Sequence, residues 1–363
     1  MNILMLVPAP EARGPVAKHS PLLVDGLRQV GCTVVTESWG RRKEQDGTLT
    51  RATDRLRDVA RIRRRLRTGD FDVLVVKTSH EWVSMLRDIP LLAATRRSVP
   101  CIVLQFHGGE SQRLAEPGPT LFKAATAAEF RLSDGVLVLS SEEQRLAKAF
   151  RPQGRFHTVA NPFRPPPATA QQRKNGPATL LFASRLVAAK GIFDLLAALR
   201  LLQEKLRCRL VVAGSGPEEA AVADRVRDLR LADAVTLAGH LAGDALTAAF
   251  GSADVFVLPT YWPEGFPTAI TEAMSAGLPI VTTATRGIAD HLEDGVNALF
   301  VPARDPRAIA EAVATLLEDP ELRERMAAAN RAKVAEFAPD RVAREYLEAL
   351  ESISAAKGAG QAG

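Results

Sequence analysis

The chain has 363 residues, 46% of them hydrophobic and 25% charged, with a formal net charge of +5; this is the mix of a soluble globular chain and argues against disorder or fibrous structure. At roughly 150 residues per domain the length points to two domains, no apolar run approaches the ~18 residues of a membrane span, and the start MNILMLVPAP lacks a signal peptide's basic region and cleavage site and reads as a strand. Cys32, Cys101 and Cys208 are odd in number and each precedes or opens an apolar run, which predicts buried free thiols in a reducing compartment and disfavours a disulfide framework or a zinc site.

In chain order, a strand at Ile3–Val7 leads into the loop 10–17, PEARGPVA, and a second strand is expected at Thr33–Glu37. Residues 41–67 hold 11 basic and 4 acidic side chains. Within them Ala52, Leu56, Val59, Ile62 and Leu66 recur at three- and four-residue steps, predicting an amphipathic helix with an arginine-rich face. That face is either solvated outer surface or a contact for something anionic: a lipid surface, a phosphorylated acceptor or nucleic acid. It supplies much of a charge asymmetry, 25 Lys+Arg against 17 Asp+Glu in residues 1–163 and 22 against 25 in the rest. Strands follow at Phe71–Val76, Ile102–Phe106, Val136–Leu139 and His157–Ala160. The strand Ile102–Phe106 ends in His107-Gly108-Gly109-Glu110, and a histidine at a strand's carboxyl end is either structural or faces a ligand.

The segment 162–177, PFRPPPATAQQRKNGP, has five prolines and no apolar periodicity, and reads as a linker. Beyond it strands are expected at Thr179–Phe182, Leu210–Ala213, Ala234–Leu237, Val255–Leu258, Ile280–Thr283 and Leu299–Val301. Several strands are nearly continuous in Val, Leu and Ile, as in parallel sheets covered on both faces. The predicted fold is therefore α/β, two doubly wound Rossmann-like domains built from βαβ units. Such sheets bind ligands outside the carboxyl ends of their strands, and the expected site is the cleft between two facing domains.

Three loops of the second half carry candidate chemistry. Arg185 and Lys190, in ASRLVAAKG (183–191), place two cations at a strand end and a helix start, which suits a diphosphate or is ordinary surface charge. Gly214-Ser215-Gly216-Pro217 is an incomplete dinucleotide fingerprint; its glycines let backbone approach a ligand or another chain segment. In PTYWPEGFPTAITEA (259–273), Glu264 lies in a loop and Glu272 follows eight residues later in a helix. Carboxylates accept from paired sugar hydroxyls, and the amides between them suit an anion or a polar sugar edge; capping and surface charge are the plain alternative.

Together these residues resemble the retaining, nucleotide-sugar-dependent glycosyltransferases of the GT-B fold (family 4, group 1 type), the large group related to glycogen and sucrose synthases and bacterial mannosyltransferases. The resemblance spans nearly the whole chain and is most specific in 183–301: E-x7-E matches Glu264–Glu272, R-x4-K-G matches Arg185–Lys190–Gly191, G-x-G-P matches Gly214–Pro217, and the histidine after the fourth strand matches His107. It implies that Arg185 and Lys190 hold the donor diphosphate and stabilise the departing anion. Glu272 would take the ribose hydroxyls, Glu264 and the amides of Gly265, Phe266 and Thr268 the transferred sugar, and His107 would approach that sugar from the first domain. His240 resembles the loop beside the base, lined also by Gly214 and Gly216. Gly14 stands where the family shows a Gly-Gly pair near the phosphates, but Pro15 follows it here, with Arg13 before it as a substitute charge. After Ile280–Thr283 the sequence TRGIAD keeps Gly287 of the family's glycine-rich turn and lacks its Pro-Glu.

The resemblance further implies retention of anomeric configuration, with no cofactor and no metal, in keeping with the absence of Asp-x-Asp. The substrates would be a nucleotide sugar and a hydroxyl acceptor, lipid-linked or anionic, without specific nucleic acid, in the cytoplasm and in peripheral contact with anionic membrane. A nucleotide-sugar epimerase or hydrolase of the same fold, using His107, Glu110 and His80 as acid and base, is the alternative. The domains read as 1–163 on the acceptor side, 164–177 as linker, 178–337 binding the nucleotide sugar, 338–353 as a helix crossing back to the first domain, and 354–363 as a flexible tail.

Overall fold

The structure, a computed structural model, describes residues 1–9, 14–40, 48–166, 176–263 and 265–359. Arg13, Glu264, most of the linker and residues 360–363 lie outside them. The chain divides into two units. Unit 1 comprises Met1–Arg164, Glu264–Phe266 and Phe337–Gly363; unit 2 comprises Pro165–Pro263 and Pro267–Glu336.

In unit 1 the strands are β1 (Asn2–Val7), β2 (Thr33–Ser38), β3 (Val73–His80), β4 (Cys101–Gly109), β5 (Gly135–Val138) and β6 (Phe156–Thr158). They form one parallel sheet in the order β2-β1-β3-β4-β5-β6. The helices are α1 (Pro15–Gln29), α2 (Thr48–Thr68), α3 (Trp82–Thr95), α4 (Leu121–Leu132), α5 (Ser141–Phe150) and, last in the chain, α13 (Pro339–Ala359). Alternation of side chains along the strands builds two cores. Ile3, Met5, Val73, Val75 and Val103 pack with Leu23 and Leu27 of α1 and with Tyr346, Leu350 and Ile353 of α13. On the opposite face Leu4, Leu6, Leu74, Val76, Ile102 and Leu104 meet the other helices through Ile62, Leu66, Leu91, Leu92 and Phe130.

Unit 2 holds β7 (Ala178–Ala183), β8 (Cys208–Ala213), β9 (Val235–Gly239), β10 (Val255–Leu258), β11 (Ile280–Thr282) and β12 (Ala298–Phe300). Its helices are α6 (Ile192–Leu202), α7 (Glu219–Asp228), α8 (Gly243–Gly251), α9 (Thr268–Ser275), α10 (Gly287–His291), α11 (Pro306–Glu318) and α12 (Pro320–Lys333). The sheet is again parallel, in the order β12-β11-β10-β7-β8-β9. All twelve expected strands are present, and both halves are doubly wound α/β.

Two local expectations are corrected. Leu56 is 71% exposed, although the three- and four-residue pattern counted it as core. The helix is turned so that the neighbouring Arg55 lies over the Trp39 ring, 5.3 Å from its centroid, and Asp58 is buried beside Arg61; Val59, Ile62 and Leu66 continue the apolar stripe, and the side chain of Ala52 lies outside the described ones. The expected flexible tail from residue 354 is helical as far as Ala359. Arg155 donates to the Ala356 carbonyl (2.8 Å) and Lys357 pairs with Asp134 (3.0 Å), so this last turn is tied to the sheet rather than frayed. All three cysteines are buried free thiols. Among the described residues no helix is long and apolar enough to cross a membrane.

Candidate functional site

A doubly wound sheet binds its ligand where the strand order reverses. In unit 2 that reversal falls between β10 and β7, which pair directly although 71 residues of chain separate their ends. The loops leaving those two strands are therefore neighbours, and they are the loops of Arg185–Lys190 and of residues 259–263. Backbone bonds join them: Tyr261 N–H donates to the Ala189 carbonyl (2.9 Å), and Thr260 Oγ1 donates to the same oxygen (3.3 Å). Gly191, with φ +79°, brings its Cα so close to the Pro259 carbonyl that a Cβ would overlap it. Lys190 is buried, whereas Arg185 is exposed and has its guanidinium 6.0 Å from the Trp262 ring centroid.

The turn after β8 braces the first of these loops from the other side. Leu186 N–H donates to Ser215 O (3.0 Å) and Glu218 N–H to Leu186 O (3.2 Å). A Cβ on Gly214 would overlap the Ser184 carbonyl, and one on Gly216 the Leu186 carbonyl. The chain segment these glycines approach is therefore the arginine loop. Gly214 N–H also donates to Gly239 O (2.7 Å), which sets exposed His240 beside the same turn.

The E-x7-E element is divided. Glu272 stands half-buried in α9, which Pro267 caps and Thr268 opens. Gly265 and Phe266 belong to unit 1, where Gly265 packs against Leu139 and the Phe266 ring stacks on Phe337 with centroids 5.1 Å apart. Glu264, immediately before them, lies outside the described residues. Arg286 carries no site role in the sequence reading, yet it is 6% exposed and donates from Nη1 to the Pro263 carbonyl (3.1 Å). Its backbone, φ 42° and ψ −126°, is a conformation L side chains rarely adopt. The available sequence signal was the turn TRGIAD, in which Arg286 precedes the retained Gly287.

In unit 1 the order reverses between β1 and β3. The loop after β1 carries Gly14, exposed with φ +124°, and Pro15 takes the first position of α1, where its missing N–H leaves no bond broken. In the second half of β3, three residues before its end at His80, lies Lys77, 4% exposed, its Nζ without a hydrogen-bond partner among the described residues. Burial lowers its pKa from 10.5 to about 7. His107 lies in β4 two residues before its end at Gly109, with Nε2 sealed from solvent and likewise without a partner among the described residues; burial, then the charge of Lys77, holds its pKa well below the ordinary value. Asn161, after β6, adds an unpartnered Oδ1. His19 of α1 bonds the Pro162 carbonyl through Nδ1 (2.9 Å), and burial lowers its pKa to about 4. Buried polar atoms are nearly always bonded to something, so Lys77, His107 and Asn161 are candidates for contact with a polar ligand; Lys77 and His107 are close enough for the charge of one to lower the pKa of the other. Of these, the sequence reading named only His107; a lysine inside the apolar run VLVVKTSH was the available signal for Lys77.

The other two acid–base candidates are engaged elsewhere. His80 has both ring nitrogens bonded, to Ser111 Oγ (3.0 Å) and Thr126 Oγ1 (2.9 Å), and its ring stacks on Phe106 at 4.7 Å. Glu110 pairs with Arg113 at 2.6 Å.

Residues 168–333 match the family model "Glycosyl transferases group 1". A glycogen synthase of Mycobacterium tuberculosis is 34% identical over 169 residues, 46% of this chain and 41% of that protein, so the chain spans less than half of that relative's length. The GDP-mannose-dependent alpha-(1-6)-phosphatidylinositol monomannoside mannosyltransferase of the same organism is 29% identical over 300 residues, 76% of each chain. Among solved structures, a sucrose-phosphate synthase from Thermosynechococcus elongatus superposes with a TM-score of 0.76 at 20% identity, over 98% of this chain and 99% of that one. The fold of the chain is that of this solved structure.

Proposed function

Proceeding from residues 168–333 as a glycosyl transferases group 1 region, we propose that the chain is a retaining glycosyltransferase. It moves a hexose-type sugar from a nucleotide diphosphate sugar to an acceptor hydroxyl. The observation that carries this reading is the bracing of the Arg185–Lys190 loop, on one side by the 259–263 loop and on the other by the Gly214–Gly216 turn, at the strand-order reversal of unit 2. Two cations on a loop held from both sides suit a diphosphate. A further support is the GDP-mannose dependence of one relative.

In the reaction the bond between the sugar's anomeric carbon and the donor phosphate oxygen breaks, and negative charge grows on that phosphate. Arg185 and Lys190 stabilise it. The acceptor hydroxyl attacks from the face the phosphate leaves, and its proton passes to a phosphate oxygen, so configuration is retained. Glu272 holds the ribose. Glu264 and the amides of Gly265, Phe266 and Thr268 hold the sugar; they orient it rather than attack it. His107 approaches the transferred sugar, and Lys77 and Asn161 serve the acceptor side. Near neutral pH the Lys77 amine is partly charged, which favours an acceptor with anionic character, lipid-linked or free. The exposed arginines of α2, such as Arg57 at 80% side-chain exposure, suit the same chemistry at an anionic membrane surface.

Thermal shift against UDP-, GDP-, ADP- and TDP-sugars identifies the donor, since a ligand bound only by the folded state raises its melting point. Lys190→Ala and Glu272→Ala are expected to remove that shift and to cut transfer severely while the chain stays folded; unchanged turnover in either sinks the reading. The anomeric configuration of the product, read by NMR, tests retention. Conversion of the donor to an epimer without acceptor would favour the epimerase instead.

A further inference from the structure

We propose that unit 1 carries a second anion site, for a phosphate monoester or diphosphate group, in the cavity at the amino ends of β5 and β6. The cavity has a volume of about 180 Å³ and is lined by Arg96, Arg131, Asp134, Arg151, Gln153 and Arg155, with Gly135 and Gly154 in its wall. Because the ladder is parallel, residues that open β5 and β6 lie at the opposite end of the sheet from His107. Ile102 N–H donates to Asp134 Oδ2 (2.8 Å). From Ile102 to His107 is five strand steps, about 16 Å at ~3.3 Å each. The cavity is thus separate from the carboxyl-end residues considered above.

Charge identifies the ligand class. Four guanidiniums line the space against one carboxylate, and that carboxylate is already committed. Arg96 holds Asp134 in a fork (3.1 and 2.8 Å), and Lys357 adds a third contact at 3.0 Å. Arg155 uses Nη2 on the Ala356 carbonyl. Arg131 and Arg151 have no ion-pair partner among the described residues.

Cations at helix carboxyl ends are expected from the helix dipole, and here Arg131 lies in the last turn of α4 while Arg96 and Arg151 cap α3 and α5. Three such ends contribute about −0.5 charge each, too little to cancel four arginines and Lys357 against Asp134. The excess stays positive. Dipole complementarity also explains one arginine per helix end but not a shared concave space. A volume of about 180 Å³ is roughly six waters, below the roughly 300–1,000 Å³ of drug-sized ligand sites. It takes a phosphate or diphosphate group and not a whole nucleotide. Planar guanidinium forks match the oxygen pairs of such a group.

Calorimetric titration of the full chain with inorganic pyrophosphate tests this. The comparison is with Arg131→Ala/Arg151→Ala and with a control of equal charge change, Arg209→Ala/Arg225→Ala, at exposed positions of unit 2. One pyrophosphate site is expected to weaken about tenfold or more in the first variant, as loss of charge-assisted hydrogen bonds implies, and to persist in the control. Equal binding by wild type and the first variant overturns the proposal, as does an equal loss in the control. Arg131→Lys/Arg151→Lys keeps the charge and guards against misfolding; it should bind more weakly than wild type but above the alanine pair. Vesicles bearing phosphatidic acid separate the sources: retention that is lost in Arg131→Ala/Arg151→Ala, beside the pyrophosphate binding, shows that the site also takes a lipid phosphate, and retention unchanged in that variant confines it to free phosphates.

Discussion

The guanidinium of Arg286 donates to the carbonyl oxygen of Pro263, the residue immediately before Glu264, across 3.1 Å. A side chain following β11 thereby fixes the loop following β10. Arg286 adopts φ 42° to make this bond, so local strain is held by the contact it serves. We expect Arg286→Ala to lower sugar transfer about tenfold or more, from loss of a charged hydrogen bond worth roughly 1.5–3 kcal/mol. Arg286→Gly relieves the backbone strain and should melt higher than Arg286→Ala, yet transfer no better. If the glycine variant regains wild-type transfer, the Pro263 bond is not what matters.

Gly216→Ala places a methyl group into the Leu186 carbonyl, and the loop carrying Arg185 must move. Overpacking of this kind costs about 1–3 kcal/mol. The expected result is a folded protein of lower melting temperature with donor affinity reduced in parallel. Gly118→Ala, at a positive φ but with open space around it, is the comparison: it should lose stability through backbone strain while donor affinity, measured by titration, stays at the wild-type level.

Lys77 gives a pH signature. Its amine titrates near pH 10.5 when unfolded and near 7 when folded, so between those values the unfolded chain binds more protons and stability rises with pH. The burial penalty is absent above about 10.5 and fully present below about 7. Lys77→Met removes it, and should be more stable than wild type at pH 7 by on the order of a few kcal/mol. That advantage should shrink steadily toward pH 10. Chemical denaturation at both pH values measures it. A pH-independent difference would mean that the amine is charged in the folded protein.

His19 predicts the acid side. Its folded pKa of about 4 lies below the ordinary 6.5, so the unfolded chain takes up the proton first on acidification. The stability due to neutral His19 is complete above about 6.5 and is lost as pH falls toward 4. Replacing it by Asn, which can still donate to the Pro162 carbonyl, should flatten the decline over that window. An unchanged acid limb in denaturant titrations would place the sensitivity on other groups.

Local patterns in the chain were enough for the order and type of the elements. Runs such as ILMLV and VLVV are short and without polar alternation, as strands covered on both faces are, and their spacing leaves room for one crossover helix each. The sequence also located Arg185, Lys190 and His107 near strand or helix ends and Glu272 inside a helix, because such positions are visible in local patterns. Tertiary structure alone decided what those ends meet. That β7 pairs with β10, that Gly216 approaches Leu186, that Arg286 reaches Pro263 and that Lys77 Nζ has no hydrogen-bond partner among the described residues are all consequences of strand order and packing. Arg55, and not Leu56, faces Trp39 for the same reason: the rotation of α2 is set by what covers it. Periodicity is a property of neighbours a few residues apart, whereas burial and pairing depend on segments tens of residues away, and no local pattern encodes them.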